Sequence, residues 1–352
     1  MLLRLPLWLW FLVGCGLIAG AQLRAISREN WNPTFLMHVG AEAIARGKIE
    51  RELGNVALSG SLGHDGKYFY LIARSPWFWN ADQETFDGVQ DVGYRYARPL
   101  YPILSGLGGT LSPWGTLTGM IALQILAGGL YAIAMVGLAR RNRLHSMVVV
   151  LGLCNPGGYM AALLLTSDLL ALALVVAGVW AYQAQRSTLA LALFMLAGLA
   201  KEYFLLTPLA LALQLVLNRQ WLAAVAYTII PAIPMLLWKM GLWLTVGLGS
   251  GSGNFTWPGM GIIGAAETNW HDPTTPAMAV ALVFFGLLAA VLGFSALPRW
   301  QCAFWGALGI TASDLVWGDP ADLLRVVCPL WWFTLWSAYP WSKSTPTPLD
   351  YR

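Results

Sequence analysis

"TLTGMIALQILAGGLYAIAMVGLARRNRLH", residues 116–145, decides the fold class. Residues 116–139 carry no charge, and a helix of that length rises about 36 Å at 1.5 Å per residue. The hydrocarbon core of a bilayer is about 30 Å thick. The run ends abruptly in "RRNRLH", the strongest basic cluster of the chain, which is the pattern of a span ending on the cytoplasmic side. A second such run covers 276–296.

Composition agrees. Of the 352 residues 57% are apolar and 11% charged, with mean hydropathy +0.60. A soluble domain carries about 25% charged residues. No ten-residue alternating pattern of a membrane barrel is present, so the expectation is an all-α polytopic membrane protein. The formal charge of +4 gives no case for nucleic acid as a partner. Cys15, Cys154, Cys302 and Cys328 sit far apart in apolar runs and read as small buried hydrophobes.

Spans are expected near 5–25, 116–139, 146–165, 168–185, 188–200, 203–217, 220–246, 276–296, 300–317 and 322–340, about ten in all. The first is read as a retained insertion helix rather than a cleaved signal. Residues 99–113 form a short apolar piece that dips into the interface. Lys201-Glu202 either tips a hairpin or interrupts one long helix. The hairpin puts Arg4, Arg186, Arg219, Arg299 and Lys343 with the 140–145 cluster, and the basic-residue rule favours it.

With that topology the single transmembrane domain, 1–352, keeps both termini in the cytoplasm. It presents a first extracytoplasmic loop, 26–98, and a second, 247–275. The first loop holds more than half of the 17 acidic residues. The cytoplasmic connections are short and basic, with little room for a nucleotide. The chemistry is therefore expected on the extracytoplasmic face of the cell membrane. "GLGSGSGNFTWPGMG", 247–261, reads as a connector or lid, since it joins no strand to a helix.

Within the first loop, "GHDGKYFYLIARSP", 63–76, stands out. Asp65-Gly66 reads as a turn, with Gly63 and Gly66 letting the backbone bend. Tyr68, Phe69 and Tyr70 then open a helix expected to lie against the membrane surface. "YRYARPLYPIL" follows at 94–104.

Together, Asp65-Gly66, Tyr68-Phe69, Ile72-Ala73 and the 94–104 stretch resemble the first extracytoplasmic loop of GT-C-type glycosyltransferases. The likeness is nearest to the GPI-mannosyltransferase branch that adds the second mannose, and to bacterial membrane proteins of cell-surface glycopolymer formation. "LAGLAKEYFLLTPLAL", 196–211, and "DLLRVVCPLWWF", 322–333, are similar to later helices of that bacterial group. His64 stands where the GPI branch often has tryptophan.

The resemblance implies a GT-C-like bundle. It also implies transfer of a sugar, mannose or another hexose or pentose, from a polyprenyl-phosphate carrier to an envelope glycan or glycolipid. It makes Asp65 the general base, within hydrogen-bond reach of the acceptor hydroxyl. Cationic side chains would meet the charge growing on the departing phosphate. Arg95, Arg98 and Arg325 are the candidates, with His64, Lys67, Tyr68, Tyr101, Lys201 and Glu202 as further substrate contacts. Asp168 and Asp319 are secondary acidic candidates.

Each has a plainer reading. Asp168 follows Thr166-Ser167 as a helix cap, and Asp319-Pro320 reads as a cap with proline at the first helical position. Lys201-Glu202 reads as a solvated tip, and Arg325 as a snorkelling side chain. Lys239, inside a span, is expected to pair internally. No cofactor is required, and a divalent metal is left open: Asp82-x-Glu84 is a weak motif, and His271-Asp272 lacks ligand spacing. Two other functions fit the composition: a flippase or transporter for a lipid-linked glycan, and a non-catalytic partner in glycopolymer assembly. A transporter calls for ionisable residues at mid-membrane depth on several helices.

Overall fold

The computed structural model describes residues 2–80, 83–246, 255–268, 274–293 and 296–338. They fold as helices joined by short turns, with only isolated β-bridges such as Val39 to Leu58 among the described residues. Helix is present in each stretch expected to span. Four segments are long and apolar enough to cross a membrane: Leu7–Arg28, Pro113–Arg141, Ser146–Leu163 and Trp221–Thr245. Asp168–Gln183, Ser187–Ala200 and Glu202–Leu217 are apolar but shorter. The chain is thus a helical membrane protein, and length alone supports four crossings rather than ten.

Local chemistry explains the breaks. Proline lacks the N–H that continues a helix and is tolerated at the first helical position. At Pro156 the ladder stops, and Asn155 accepts from Gly158 N at 3.1 Å while donating to Cys328 O at 2.9 Å. Ser112 caps the Pro113–Arg141 helix in the same way, through Gly115 N at 3.1 Å.

The Leu7–Arg28 helix lies along Pro113–Arg141, where Gly14 faces Gly128. A Cβ on Gly14 would sit 2.3 Å from the Gly128 carbonyl oxygen, so only glycine permits the approach. Small residues let membrane helices pack this closely.

The chain breaks at Lys201, whose backbone is extended (φ −163°, ψ 126°), and a 3-10 turn, Glu202–Leu205, follows. A single long helix is thereby ruled out. Ser187–Ala200 packs on Asp168–Gln183, whereas Leu206–Leu217 packs on Trp221–Ile229 and Ala296–Thr311. The two helices flanking Lys201 therefore take different neighbours rather than forming a close-packed hairpin.

The first loop is a folded layer carrying the helices Arg46–Leu53, Gly66–Arg74, Gln83–Gly88 and Val92–Tyr96. Here one expectation is corrected. Gly66–Arg74 does not lie on the membrane surface: Tyr68, Phe69, Tyr70, Leu71 and Ile72 are all buried inside the protein. Tyr70 donates to Glu52 Oε2 at 2.7 Å, and Arg74 Nε donates to the same oxygen at 3.2 Å. Every residue from Gly66 to Ala73 is buried, Lys67 included, so this is a core helix. The 99–113 piece, which includes the helix Leu100–Ser105, packs between Gly66–Arg74 and Pro113–Arg141.

Candidate functional site

Asp168–Gln183 and Ser187–Ala200 are consecutive packed helices joined by a three-residue turn. Antiparallel packing sets the start of the first beside the end of the second, so Asp168 meets Lys201. The Pro320–Val326 helix packs on Pro156–Leu163 so closely that a Cβ on Gly157 would lie 1.9 Å from Leu324 O. That contact brings Arg325 to the same place.

Asp168 is fully buried and paired with both cations, with Arg325 Nη1 at 3.4 Å from Oδ2. Thr166 Oγ1 donates to Oδ2 at 2.8 Å. Arg325 also binds Asp322. The capping reading of Asp168 is therefore corrected: its side chain makes no cap bond and instead pairs with two buried cations. Nor is Lys201 a solvated tip, being 3% exposed.

The first loop closes over this network. Gly63 takes a left-handed turn (φ +69°), and a Cβ there would lie 2.0 Å from His38 O. Gly66 has ordinary helical geometry, but a Cβ there would lie 2.5 Å from Leu164 O, so it permits close approach rather than turning the chain. Asp65, held between them, is bound by Arg95. Arg95 also stacks over the Tyr68 ring at 4.5 Å. Arg98, 1% exposed, donates two parallel bonds of 3.1 Å to Glu202 and a third of 3.3 Å to Tyr203. It also lies over the Tyr94 ring at 4.2 Å.

His64 faces Asp319 at 3.6 Å and Asp322 at 4.0 Å. Lys67 is buried, donating to His64 O at 2.9 Å and lying over Tyr68 at 4.3 Å. Tyr68 donates to Gln90 at 3.1 Å. Tyr101 is wholly buried, edge-on to Phe69 and reaching Met120 O at 3.4 Å, so it belongs to the core beneath the site.

Burial alone would raise the Asp65 carboxyl, but the fields of Arg95, Arg325, Arg98 and Lys201 outweigh it and hold it well below the usual carboxylate range. One carboxylate thus feels four cations from three parts of the chain. Burial lowers Lys67 to about 8, with Asp65 opposing and Arg95 adding to the shift. Burial, followed by the charge of His64, lowers His38 to about 4, leaving its imidazole neutral at neutral pH.

The expected site residues thus come together, Tyr101 one layer below. Asp322, Thr166, Tyr94, Tyr203 and His38 join them unforeseen. Asp322 stood in plain view, three residues before Arg325, at ion-pair spacing on a helix. Thr166 is local too, two residues before Asp168, whereas Tyr94, Tyr203 and His38 are brought in by tertiary contact. Elsewhere, Glu84 pairs with Arg51, Lys239 adds to the field at Glu202, and Asp82, His271 and Asp272 lie outside the described residues. So does most of 247–261 and the tail bearing Lys343.

Beside this network a groove of about 580 Å³ opens on the Trp221–Thr245 span, lined by Phe78, Trp79, Leu199, Pro234, Trp238 and Gly241. Trp238 Nε1 donates to Tyr96 O at 2.7 Å, which ties the groove wall to the segment bearing Arg95 and Arg98. Among known proteins, no family model, curated sequence or solved structure matches the chain.

Proposed function

We propose that the protein is a GT-C-type glycosyltransferase that moves a sugar from a polyprenyl-phosphate carrier to a cell-envelope glycan or glycolipid. The observation that carries this reading is the gathering of Arg95, Arg98, Lys201 and Arg325 about Asp65, in which two guanidinium donors lack partners. Arg95 Nε and Arg325 Nε are buried and make no hydrogen bond among the described residues. A buried N–H without an acceptor costs about 1–3 kcal/mol. A phosphate oxygen supplies that acceptor. The apolar groove beside Trp238 suits the prenyl chain of the same molecule.

In this reading the acceptor hydroxyl gives its proton to Asp65 as its oxygen bonds to the anomeric carbon. The bond from that carbon to the carrier phosphate breaks, and the phosphate leaves as an anion against Arg95 and Arg325. Arg95 is shared: as it turns toward phosphate, its hold on Asp65 weakens and the carboxylate becomes the better base. Loop 26–98 lies on the extracytoplasmic face and the 140–145 cluster in the cytoplasm. The site then opens where lipid-linked donors are presented.

Transfer of labelled sugar from a polyprenyl-phosphate donor, by purified wild type and by Asp65→Asn, tests the chemistry. The variant should lose roughly two to four orders of magnitude in turnover. Equal transfer by both would remove Asp65 from the mechanism. Sidedness is read separately, by labelling single cysteines placed at Ser61 and Arg143, both exposed. Labelling from outside the cell at Arg143→Cys and not at Ser61→Cys would invert the topology.

A further inference from the structure

The His64 imidazole and the carboxylates of Asp319 and Asp322 converge from two distant parts of the chain, with donor atoms all within 4.8 Å of one another. Simple ion pairing describes them poorly. The closest approaches, 3.6 Å from Nε2 to Asp319 Oδ2 and 4.0 Å from Nδ1 to Asp322 Oδ1, are too long for hydrogen bonds. Neither ring nitrogen of His64 makes a hydrogen bond among the described residues. Two donors bound to one ion at 2.0–2.2 Å stand roughly 3–3.6 Å apart, which is the separation seen to Asp319.

The surroundings also hold two of the three residues in place. Lys67 fixes the His64 backbone through its carbonyl at 2.9 Å, and Arg325 binds Asp322 Oδ1, the oxygen that faces His64. A second imidazole, His38, stands edge-on to His64 with ring centres 5.4 Å apart, and its Nδ1 lies 3.1 Å from Ser59 Oγ. The donor set is mixed, one imidazole and two carboxylates, which suits a first-row divalent ion better than magnesium or calcium, the oxygen-only cations.

We infer that His64, Asp319 and Asp322 form a divalent transition-metal site of the Zn²⁺ or Mn²⁺ type, next to Asp65 and joining the first loop to the Pro320–Val326 helix. The inference concerns binding and holds whether or not the protein transfers sugar.

The test uses the full chain purified in detergent without a histidine tag, stripped with chelator and titrated with Zn²⁺ or Mn²⁺ alone. One ion per chain is expected by elemental analysis, with a rise in the unfolding temperature as metal is added. His64→Gln should weaken binding by more than about 100-fold, because changes to outer contacts alone cost about 10–100-fold. Asp319→Asn, an isostere at a partly exposed position, should do the same and abolish the metal-dependent rise. Glu84→Gln, outside the cluster, should leave binding unchanged. Failure of both ions to bind stoichiometrically, or wild-type affinity in both His64→Gln and Asp319→Asn, overturns the site.

Discussion

Asp168 and Arg325 stand 157 positions apart in sequence and 3.4 Å apart in space, at a carboxylate that solvent does not reach. Lys201 binds the other oxygen of the same carboxylate. One acid thus ties three helical segments together and sets the floor of the site. Its removal leaves two buried cations without their shared partner, the costly way to break such a pair. Asp168→Ala should lower stability by about 3–5 kcal/mol. Thermal unfolding in detergent, followed by size-exclusion profile, checks this. A variant as stable as wild type would mean that water or lipid solvates Lys201 and Arg325.

Arg98 makes a different prediction, because its geometry and not only its charge is used. The planar fork reaches both oxygens of Glu202 at 3.1 Å, and lysine offers no such pair of parallel donors. Arg98→Lys should lose about 1.5–3 kcal/mol of stability, the range for a hydrogen bond to a charged group. Turnover should fall with it. If Arg98→Lys matches wild type in both, the fork is not used.

How much of this the sequence disclosed depends on the range of the cause. Helix positions were legible because apolar runs, proline and cap residues act within one turn of the chain. Asp168 after Thr166-Ser167 looked like a cap for the same reason: the local pattern is a good cap, and nothing nearby announces Lys201 or Arg325. "YFYLIA" reads as interfacial because tyrosine favours membrane surfaces, yet a run of apolar side chains is buried wherever protein can surround it. The first loop does surround it. Asp65, Arg95 and Arg98 were found through a motif, whereas their convergence with Lys201 and Arg325 is a tertiary fact. His38 has no signal at all, since its place beside His64 follows from the turn at Gly63.

The Asp65–Arg95 pair predicts a pH effect whose sign is set by the field of Arg95 acting against burial. With Arg95 present, Asp65 titrates well below its unfolded value, so its ionised form persists through neutral and mildly acidic pH. The stability that the pair contributes is present above the unfolded value and fades only as pH falls toward the depressed one. Wild-type turnover should therefore show no acid limb from Asp65 between about pH 5 and 8. In Arg95→Gln the largest opposing field is gone and burial pushes the carboxyl upward. An acid limb should then appear at higher pH than in wild type. Profiles of kcat against pH for the two proteins decide it; superimposable acid limbs would mean that Arg95 does not control Asp65.

The groove beside Trp238 allows binding of the lipid chain to be separated from the chemistry. Leu237 lines it and is 58% exposed, so a larger side chain there fills the groove without crowding the core. None of the charged residues of the network lines the groove, so the network should be undisturbed. Leu237→Trp should therefore raise KM for a long-chain polyprenyl-phosphate sugar while leaving kcat near wild type, the pattern of lost uniform binding. A donor carrying a single short prenyl unit does not need the groove and should show nearly the same KM in both proteins. Equal effects on long and short donors, or a fall in kcat with KM unchanged, would mean that the chain lies elsewhere and that the groove is filled by bulk lipid.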